Sequence, residues 1–225
     1  IASSNEACAT TDESVTQTVD LDPFRMNMMS LNIEPFSVDV SSVFGGLDLL
    51  LVKNDDSDYY VPDYSVNQIN DFDAREGYKV FLNGAGGQSL SVDGLPVMSD
   101  ISLPLDPFRM NVLPYSLNDC MPTDLVFAGY EESLLIVKND DSDYYVPAYN
   151  VMTLTQMCPG EGYGVFLNGT NGIDFTYPMG GGVARSASHA SIEDYKLATR
   201  TDDVNVTGES HLFIIDGIEG ARVGD

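Results

Sequence analysis

The stretch Val-Lys-Asn-Asp-Asp-Ser-Asp-Tyr-Tyr-Val-Pro occurs twice without a change, at residues 52–62 and 137–147. In each copy, apolar and aromatic runs flank a cluster of small polar residues, which is the pattern of a β-hairpin and its turn. Because side chains of a strand alternate between its two faces, one tyrosine of each adjacent pair should face a core. The duplicated hairpin predicts a chain built from two copies of one β module.

Further matches extend the repeat on both sides of the hairpin. The motif Leu-Asp-Pro-Phe-Arg-Met-Asn opens each copy, at residues 21–27 and 105–111. The motif Glu-Gly-Tyr-x-Val-Phe-Leu-Asn-Gly follows each hairpin, and it predicts a strand that ends in an Asn-Gly turn. Between opener and hairpin, Ser or Thr precedes a few apolar residues and a glycine, which predicts one or two turns of capped helix.

We therefore predict an all-β fold with two tandem small β-sandwich or barrel-like domains, each with one short helix, and a terminal strand segment. The expected boundaries are a lead-in at 1–14, repeat one at 15–103, repeat two at 104–179, a linker at 180–192, and the start of a third module or a pairing strand at 193–225. One pseudo-symmetric domain made of two halves is the alternative. One hypothesis is that residues 206–215 or 15–20 complete a sheet in a neighbouring subunit.

The excess of acidic residues argues against two classes of binding partner. The chain of 225 residues has 35 acidic and 10 basic side chains, for a net charge of −25. Such a polyanion is repelled by nucleic acid and by anionic membranes, so neither is an expected partner. The sequence has no apolar run long enough to cross a bilayer, so we expect no membrane insertion. The acidity fits solubility in salty water or cation binding.

Four short motifs follow one another along the chain. They are Phe-Arg-Met-Asn at residues 24–27, the hairpin, Val-Asn-Gln-Ile at 66–69, and Pro-Gly-Glu-Gly-Tyr at 159–163. This order resembles a β module common in large secreted and surface proteins of Bacteroidota-type bacteria, although the pattern favours glycine where this chain has Ser57-Asp58. The resemblance implies export, often by the type IX route. It also implies a non-catalytic part of a longer surface protein.

The acidic turns of the two hairpins are candidate calcium sites. Oxygen-bearing residues alternate along each turn as in the first half of a calcium loop: Asn54, Asp56 and Asp58, and Asn139, Asp141 and Asp143. The sixth position is tyrosine instead of glycine, and no glutamate stands at the twelfth. A solvated hairpin turn is the alternative. Apart from calcium, the sequence indicates no cofactor.

The three cysteines allow one disulfide. We predict a bridge between Cys120 and Cys158, because both are present in repeat two and absent from the aligned positions of repeat one. Two free buried thiols are the alternative. Cys8 then has no partner within the repeats, and it could cross-link to another molecule or remain a free thiol.

The remaining candidates for chemistry favour structural roles. The two histidines, His189 and His211, both lie outside the repeats, which argues against a hydrolase triad. Glu76 and Glu161 are equivalent residues of two domains, so they do not form a glycosidase pair.

The two arginines of the openers also have an expected structural role. Arg25 and Arg109 occupy the same position in the two copies of a chain that is poor in basic residues. We expect each arginine to pair with a nearby carboxylate, Asp22 or Asp106, and to fix the opening turn.

The function expected from these observations is a non-enzymatic structural or adhesive module outside the cell or on its surface. It would be a repeating segment of a larger surface protein or filament. Its partners would be copies of itself or other surface proteins, with glycans as a further candidate. A carbohydrate- or calcium-binding module attached to a secreted enzyme is the alternative, since the paired tyrosines could stack on sugars.

Overall fold

The computed structural model describes residues 14–98 and 100–178, together with two short strands, Val204–Asn205 and Ile214–Ile215. The chain divides into two compact units, residues 1–180 and residues 181–225. The larger unit contains both copies of the repeat. We refer to residues 15–98 as the first module and to residues 100–178 as the second module.

The first module consists of eight short strands, one short helix and a 3₁₀ turn at Pro62–Tyr64. In chain order the elements are β1 (Val15–Leu21), β2 (Met26–Met29), β3 (Ile33–Pro35), α1 (Val40–Val43), β4 (Leu49–Lys53), β5 (Tyr59–Val61), β6 (Val66–Asn67), β7 (Tyr78–Leu82) and β8 (Gln88–Pro96).

The second module repeats this order with one additional strand, and it has 3₁₀ turns at Glu131–Ser133 and Pro147–Tyr149. Its elements are β9 (Ser102–Leu105), β10 (Met110–Pro114), β11 (Met121–Pro122), α2 (Thr123–Val126), β12 (Leu134–Lys138), β13 (Tyr144–Val146), β14 (Val151–Met152), β15 (Gln156–Met157), β16 (Gly162–Leu167) and β17 (Ile173–Thr176).

Each module has one five-stranded antiparallel sheet. The strand order is β2-β7-β4-β5-β6 in the first module and β10-β16-β12-β13-β14 in the second. The duplicated stretch forms the predicted hairpin in both sheets, with Lys53 opposite Tyr59 and Lys138 opposite Tyr144. Strands β2 and β10, which follow the opening motif, therefore lie at equivalent edges of their sheets.

The smaller sheets differ between the modules. The first module has a three-stranded sheet of order β1-β8-β3, whereas the second has the pairs β9-β17 and β11-β15. Strand β7 ends before the predicted Asn-Gly turn, but β8 then pairs with β1 and β3 instead of β7. The Asn-Gly turn therefore connects the five-stranded sheet to the three-stranded sheet. The apolar face of β8 packs in the core of the module.

Strand β1 pairs inside its own module. Its residues are in register with β8 from Val15 opposite Gly94 to Leu21 opposite Gln88. Because β1 is already paired with β8, the structure does not support the hypothesis that residues 15–20 complete a sheet in a neighbouring subunit.

Two separate hydrophobic cores lie between the sheets, one in each module. The first contains Phe44, Phe72 and Tyr78 among aliphatic side chains, and the second is richer in aromatic rings. Leu103 belongs to the second core and lies on β9, so the second module begins a few residues before position 104. The sandwich-like all-β fold predicted from the sequence is confirmed.

The two predicted helices are present and short. The side chain of Asp39 caps α1 by accepting a hydrogen bond from the Ser41 N–H at 3.0 Å, so the cap is an aspartate and not the expected serine. Helix α2 has no side-chain cap.

The smaller unit is described at two strands alone, where Val204–Asn205 pairs antiparallel with Ile214–Ile215. Across all the described residues, no helix is both long enough and apolar enough to cross a membrane.

Candidate functional site

Residues that are identical in the two repeats form a reciprocal part of the contact between the two modules, which also includes hydrogen bonds of Ser30 and Asn32 to the second module. The guanidinium of Arg25, from the opening motif of the first module, lies against the hairpin turn of the second. Its Nη1 is 2.6 Å from Oδ1 of Asp141, and its Nη2 is 3.1 Å from Oδ1 of Asp140. The side chains of Arg25 and Asp140 are 28% and 20% exposed, so this ion pair is shielded from water on most sides.

The same contact is made in the opposite direction. Arg109 of the second module lies against the hairpin turn of the first, with Nη2 at 2.7 Å from Oδ2 of Asp55 and Nη1 at 3.6 Å from Oδ1 of Asp56. Each module therefore provides one arginine and one pair of aspartates. The two halves of the interface are related as the halves of a twofold-symmetric dimer would be.

Each aspartate also binds the backbone of the opposite module. Oδ2 of Asp140 accepts the N–H of Met28 at 2.9 Å, and Oδ1 of Asp55 accepts the N–H of Val112 at 2.7 Å. Met28 and Val112 lie on β2 and β10, the edge strands of the two large sheets. Unpaired N–H groups on an edge strand are a template for unwanted pairing, and these two are satisfied by the partner module.

A buried asparagine fixes each arginine. The side-chain amide of Asn27 accepts the N–H of Asp22 at 2.7 Å and donates to the carbonyls of Asp22 and Val80 at 3.0 and 3.2 Å. Asn111 makes the equivalent three bonds in the second module. The opening loop is therefore closed on itself and bound to the neighbouring strand, β7 or β16. This loop is what places the arginine at the module boundary.

A second asparagine shapes each hairpin turn. Oδ1 of Asn54 accepts the N–H of Asp58 at 2.8 Å, and Oδ1 of Asn139 accepts the N–H of Asp143 at 2.9 Å. The left-handed residue of the turn is a serine, with φ of 77° at Ser57. Glycine adopts such a φ without steric cost, whereas serine does not.

Glycines allow the two modules to approach closely. A Cβ on Gly77 would lie 2.6 Å from the carbonyl oxygen of Val112, and a Cβ on Gly162 would lie 2.9 Å from that of Met29. Gly77 and Gly162 are the equivalent glycines of the two Glu-Gly-Tyr motifs. The N–H of Gly77 donates to the Val112 carbonyl at 3.1 Å, so backbone meets backbone across the boundary.

Three carboxyl groups near the boundary resist ionisation. Burial raises the pKa of Glu76, Glu161 and Asp140, and neighbouring carboxylates raise it further. For Asp140 burial outweighs the opposing effects of the Met28 N–H and of Arg25. Burial also raises the pKa of Tyr163, whose hydroxyl donates to Oε2 of Glu161 at 2.5 Å. The interface therefore combines strong ion pairs with carboxyl groups that are costly to charge.

Four of the six hairpin side chains proposed for calcium have other partners among the described residues, the exceptions being Asp58 and Asp143. The amides of Asn54 and Asn139 bond their own turns, and Asp56 and Asp141 face arginines. Within residues 14–98 and 100–178, no group of three or more His, Cys, Asp or Glu side chains could hold a metal ion. The calcium site stays a prediction.

The predicted disulfide is confirmed. Cys120 and Cys158 are bonded, with their Cα atoms 4.1 Å apart, beside the small β11-β15 pair. Cys8 lies outside the described residues, as do His189 and His211.

The tyrosines of the hairpin divide as alternation predicted. Tyr145 is 7% exposed in the second core and Tyr60 packs against the first, whereas Tyr59 and Tyr144 are 38% and 39% exposed. The stacking of sugars stays a prediction.

The predicted ion pairs of the arginines are confirmed, but the sequence did not reveal their partners in the other module. Arg25 and Arg109 do reach Asp22 and Asp106, but at 3.4 Å. The closer contacts cross to the other module. One feature of the sequence could have revealed these contacts. The arginine and the aspartate pair both occur in each copy, so the arginine of one copy can pair with the aspartates of the other.

These features define a class: a two-module all-β unit whose modules bind each other reciprocally through duplicated motifs. No protein-family model, curated protein or solved structure matches the chain.

Proposed function

We propose that this chain is a non-enzymatic structural or adhesive module that acts outside the cell or on its surface. In this role it is a repeating segment of a larger surface protein or filament, and its partners are further copies or other surface proteins. One observation carries the proposal: arginines and aspartates that are identical in the two copies form reciprocal ion pairs between the modules.

The energetic logic supports an architectural role. Each duplicated motif contributes a group that is incomplete in its own module, since Arg25 needs Asp140 and Arg109 needs Asp55. The contact also covers β2 and β10, edge strands that would otherwise invite aggregation. A segment that spaces or displays other parts of a surface protein benefits from modules that do not swing relative to each other.

The rigidity that this role requires can be measured directly. Spin labels at Tyr64→Cys and Tyr149→Cys, both highly exposed positions, report the distance between the modules in a Cys8→Ser background. We expect one narrow distance distribution. Arg25→Ala with Arg109→Ala should broaden it, while the control Asp22→Ala with Asp106→Ala should not. A broad distribution of label-to-label distances in the protein that keeps both arginines would contradict the architectural role.

Location is tested on cells of the source organism. Antibodies raised against the purified chain should label intact cells, and brief protease treatment of those cells should remove the label. Labelling that appears only after permeabilisation would refute the surface role.

A further inference from the structure

Two of the three lysines of residues 14–178, Lys79 and Lys138, line one groove between the two modules, and the third, Lys53, lies next to Lys79. Lys53 and Lys79 are directly opposite each other on β4 and β7, and Lys138 faces them from β12 of the second module. Burial lowers the pKa of Lys79, and nearby Lys53, Lys138 and Arg109 lower it further against the opposing effect of Asp55. Positive charge is thus concentrated in one place on a chain of net charge −25.

One of these lysines has a partner in its own hairpin, since Nζ of Lys53 lies over the ring of Tyr59, 5.4 Å from the ring centroid. In the described part of the chain, every ion pair is made by Arg25 or Arg109, and none by a lysine. The carboxylate of Asp140 also lines the groove, but it is bound to Arg25 and to the Met28 N–H. Like charges placed directly opposite on a sheet destabilise it. The Lys53–Lys79 pair is therefore a cost that an anion in the groove would offset.

The floor of the groove is apolar. Met26 and Met28 from the first module and Met110 and Ile136 from the second line it, and the groove has a volume of about 430 Å³. Methionine side chains adapt their shape to varied apolar partners and are favoured at binding surfaces for this reason. The groove therefore offers flexible apolar contacts below and ammonium groups around them.

We propose that this groove binds an acidic peptide segment in which carboxylate and apolar side chains alternate. The carboxylates meet the lysines, and the apolar side chains meet the methionines. A sulfated or uronic polysaccharide would satisfy the charge but would leave the apolar floor without partners. The inference extends the proposed structural role by naming a partner, and its test in solution does not depend on where the protein resides.

Binding is measured by fluorescence polarisation of labelled peptides with the full chain. The probe is a peptide of about eight residues that alternates Asp and Leu, long enough for one strand. Control peptides alternate Asp with Ser, or Lys with Leu. We expect saturable binding of the Asp–Leu peptide that weakens as salt is raised, because exposed charges are screened. Both controls should bind more weakly.

Matched variants separate the groove from overall charge. Lys79→Gln should weaken binding about two- to fivefold, the range of one partly exposed ion pair, and the triple variant K53Q/K79Q/K138Q by about tenfold or more. Arg75→Gln also removes one positive charge, but Arg75 is exposed and outside the groove, so affinity should not change. Thermal melts confirm that each variant is folded, and the salt titration needs no variant.

Three results would overturn the proposal. The Asp–Leu peptide could show no saturable binding at about millimolar concentration. Lys79→Gln and Arg75→Gln could weaken binding equally. Heparin fragments or the Asp–Ser peptide could bind as tightly as the Asp–Leu peptide, which would make the groove a general polyanion site. None of these outcomes would bear on the surface labelling or on the distance between modules.

Discussion

Asp55 and Asp140 each bind two groups of the opposite module at once. One carboxylate oxygen faces an arginine and the other accepts a backbone N–H of an edge strand. Carboxylates that accept charge-assisted bonds on both oxygens are geometrically specific, since they fix position and orientation together. The reciprocal arrangement doubles this specificity.

A double-mutant cycle of Arg109→Ala and Asp55→Ala should give a coupling free energy of about 1 kcal/mol. Both side chains are no more than one-third exposed, so the coupling free energy should lie at the upper end of the range for surface ion pairs. Chemical denaturation of the four proteins measures it. The cycle of Arg109→Ala with Asp106→Ala is the control, because Asp106 is 63% exposed and lies 3.4 Å away, so its coupling should be near zero. Equal coupling in both cycles would show that the contact across modules has no special strength.

Replacement of Ser57 by glycine should stabilise the protein. Serine with φ of 77° is in the left-handed region, which costs an L-residue about 1–2 kcal/mol, and only part of this is lost to the greater freedom of glycine when unfolded. We expect a gain of about 0.5–1 kcal/mol, seen as a higher melting temperature. Ser142→Gly should do the same. Ser102→Gly, on an exposed position of β9, should instead lower it.

Side-chain alternation predicted the buried tyrosine of each pair, because that rule depends on neighbouring residues alone. The arginine partners in the other module were not predicted in the same way. A local rule favours a carboxylate three residues away, whereas the shortest contact of Arg25 is with Asp141, 116 residues distant in sequence. Only the packing of the two modules brings these residues together.

Among the elements, the small β11-β15 pair of the second module illustrates how a short pairing is reinforced. Two residues in each strand make few hydrogen bonds, and the bond between Cys120 and Cys158 lies beside them. The first module has a single bridge between Asp39 and Asp71 at the same place and has no cysteines there.

Reduction of this bond should lower the free energy of unfolding by about 3–4 kcal/mol, the chain-entropy value for a closed loop of 38 residues. Denaturation with and without reductant measures the difference. The variant C120S/C158S should unfold at the lower midpoint in both conditions. An unchanged unfolding midpoint after complete reduction would show that the disulfide does not stabilise the fold by restricting the conformations of the unfolded chain.

Hairpins, helices and most strands could be predicted, since each is encoded by a contiguous pattern. The partner of β8 could not. An Asn-Gly turn favours a hairpin, but here the chain crosses to a second sheet so that Leu90 and Val92 can close the first core. Burial of apolar area over a whole module outweighs the preference of one turn.

At the scale of the whole molecule, the large negative charge affects stability through pH. Glu76, Glu161 and Asp140 have a raised pKa in the folded protein because of burial. A carboxyl whose pKa is higher when folded than when unfolded binds its proton more tightly in the folded state. Its charging therefore destabilises the fold at neutral pH, and this penalty disappears as the pH falls through the folded pKa.

The melting temperature should accordingly rise as the pH is lowered from neutral through the folded pKa of these three carboxyl groups. The double variant E76Q/E161Q should show a smaller rise over this range. The variant D63N/D71N, at two exposed positions, is the control and should behave as the unaltered chain. A melting temperature that decreased steadily from neutral pH would contradict the assignment.

The reciprocal interface also restricts how a longer protein can be assembled. Once Arg25 and Arg109 have each found the aspartates of the other module, neither module has a free arginine or a free acidic turn of this kind to offer a third. Growth by one module would leave an opener and a hairpin without counterparts. Growth by two would leave none. Any array in which every module makes this contact therefore contains an even number of modules, and modules would be added or deleted in pairs.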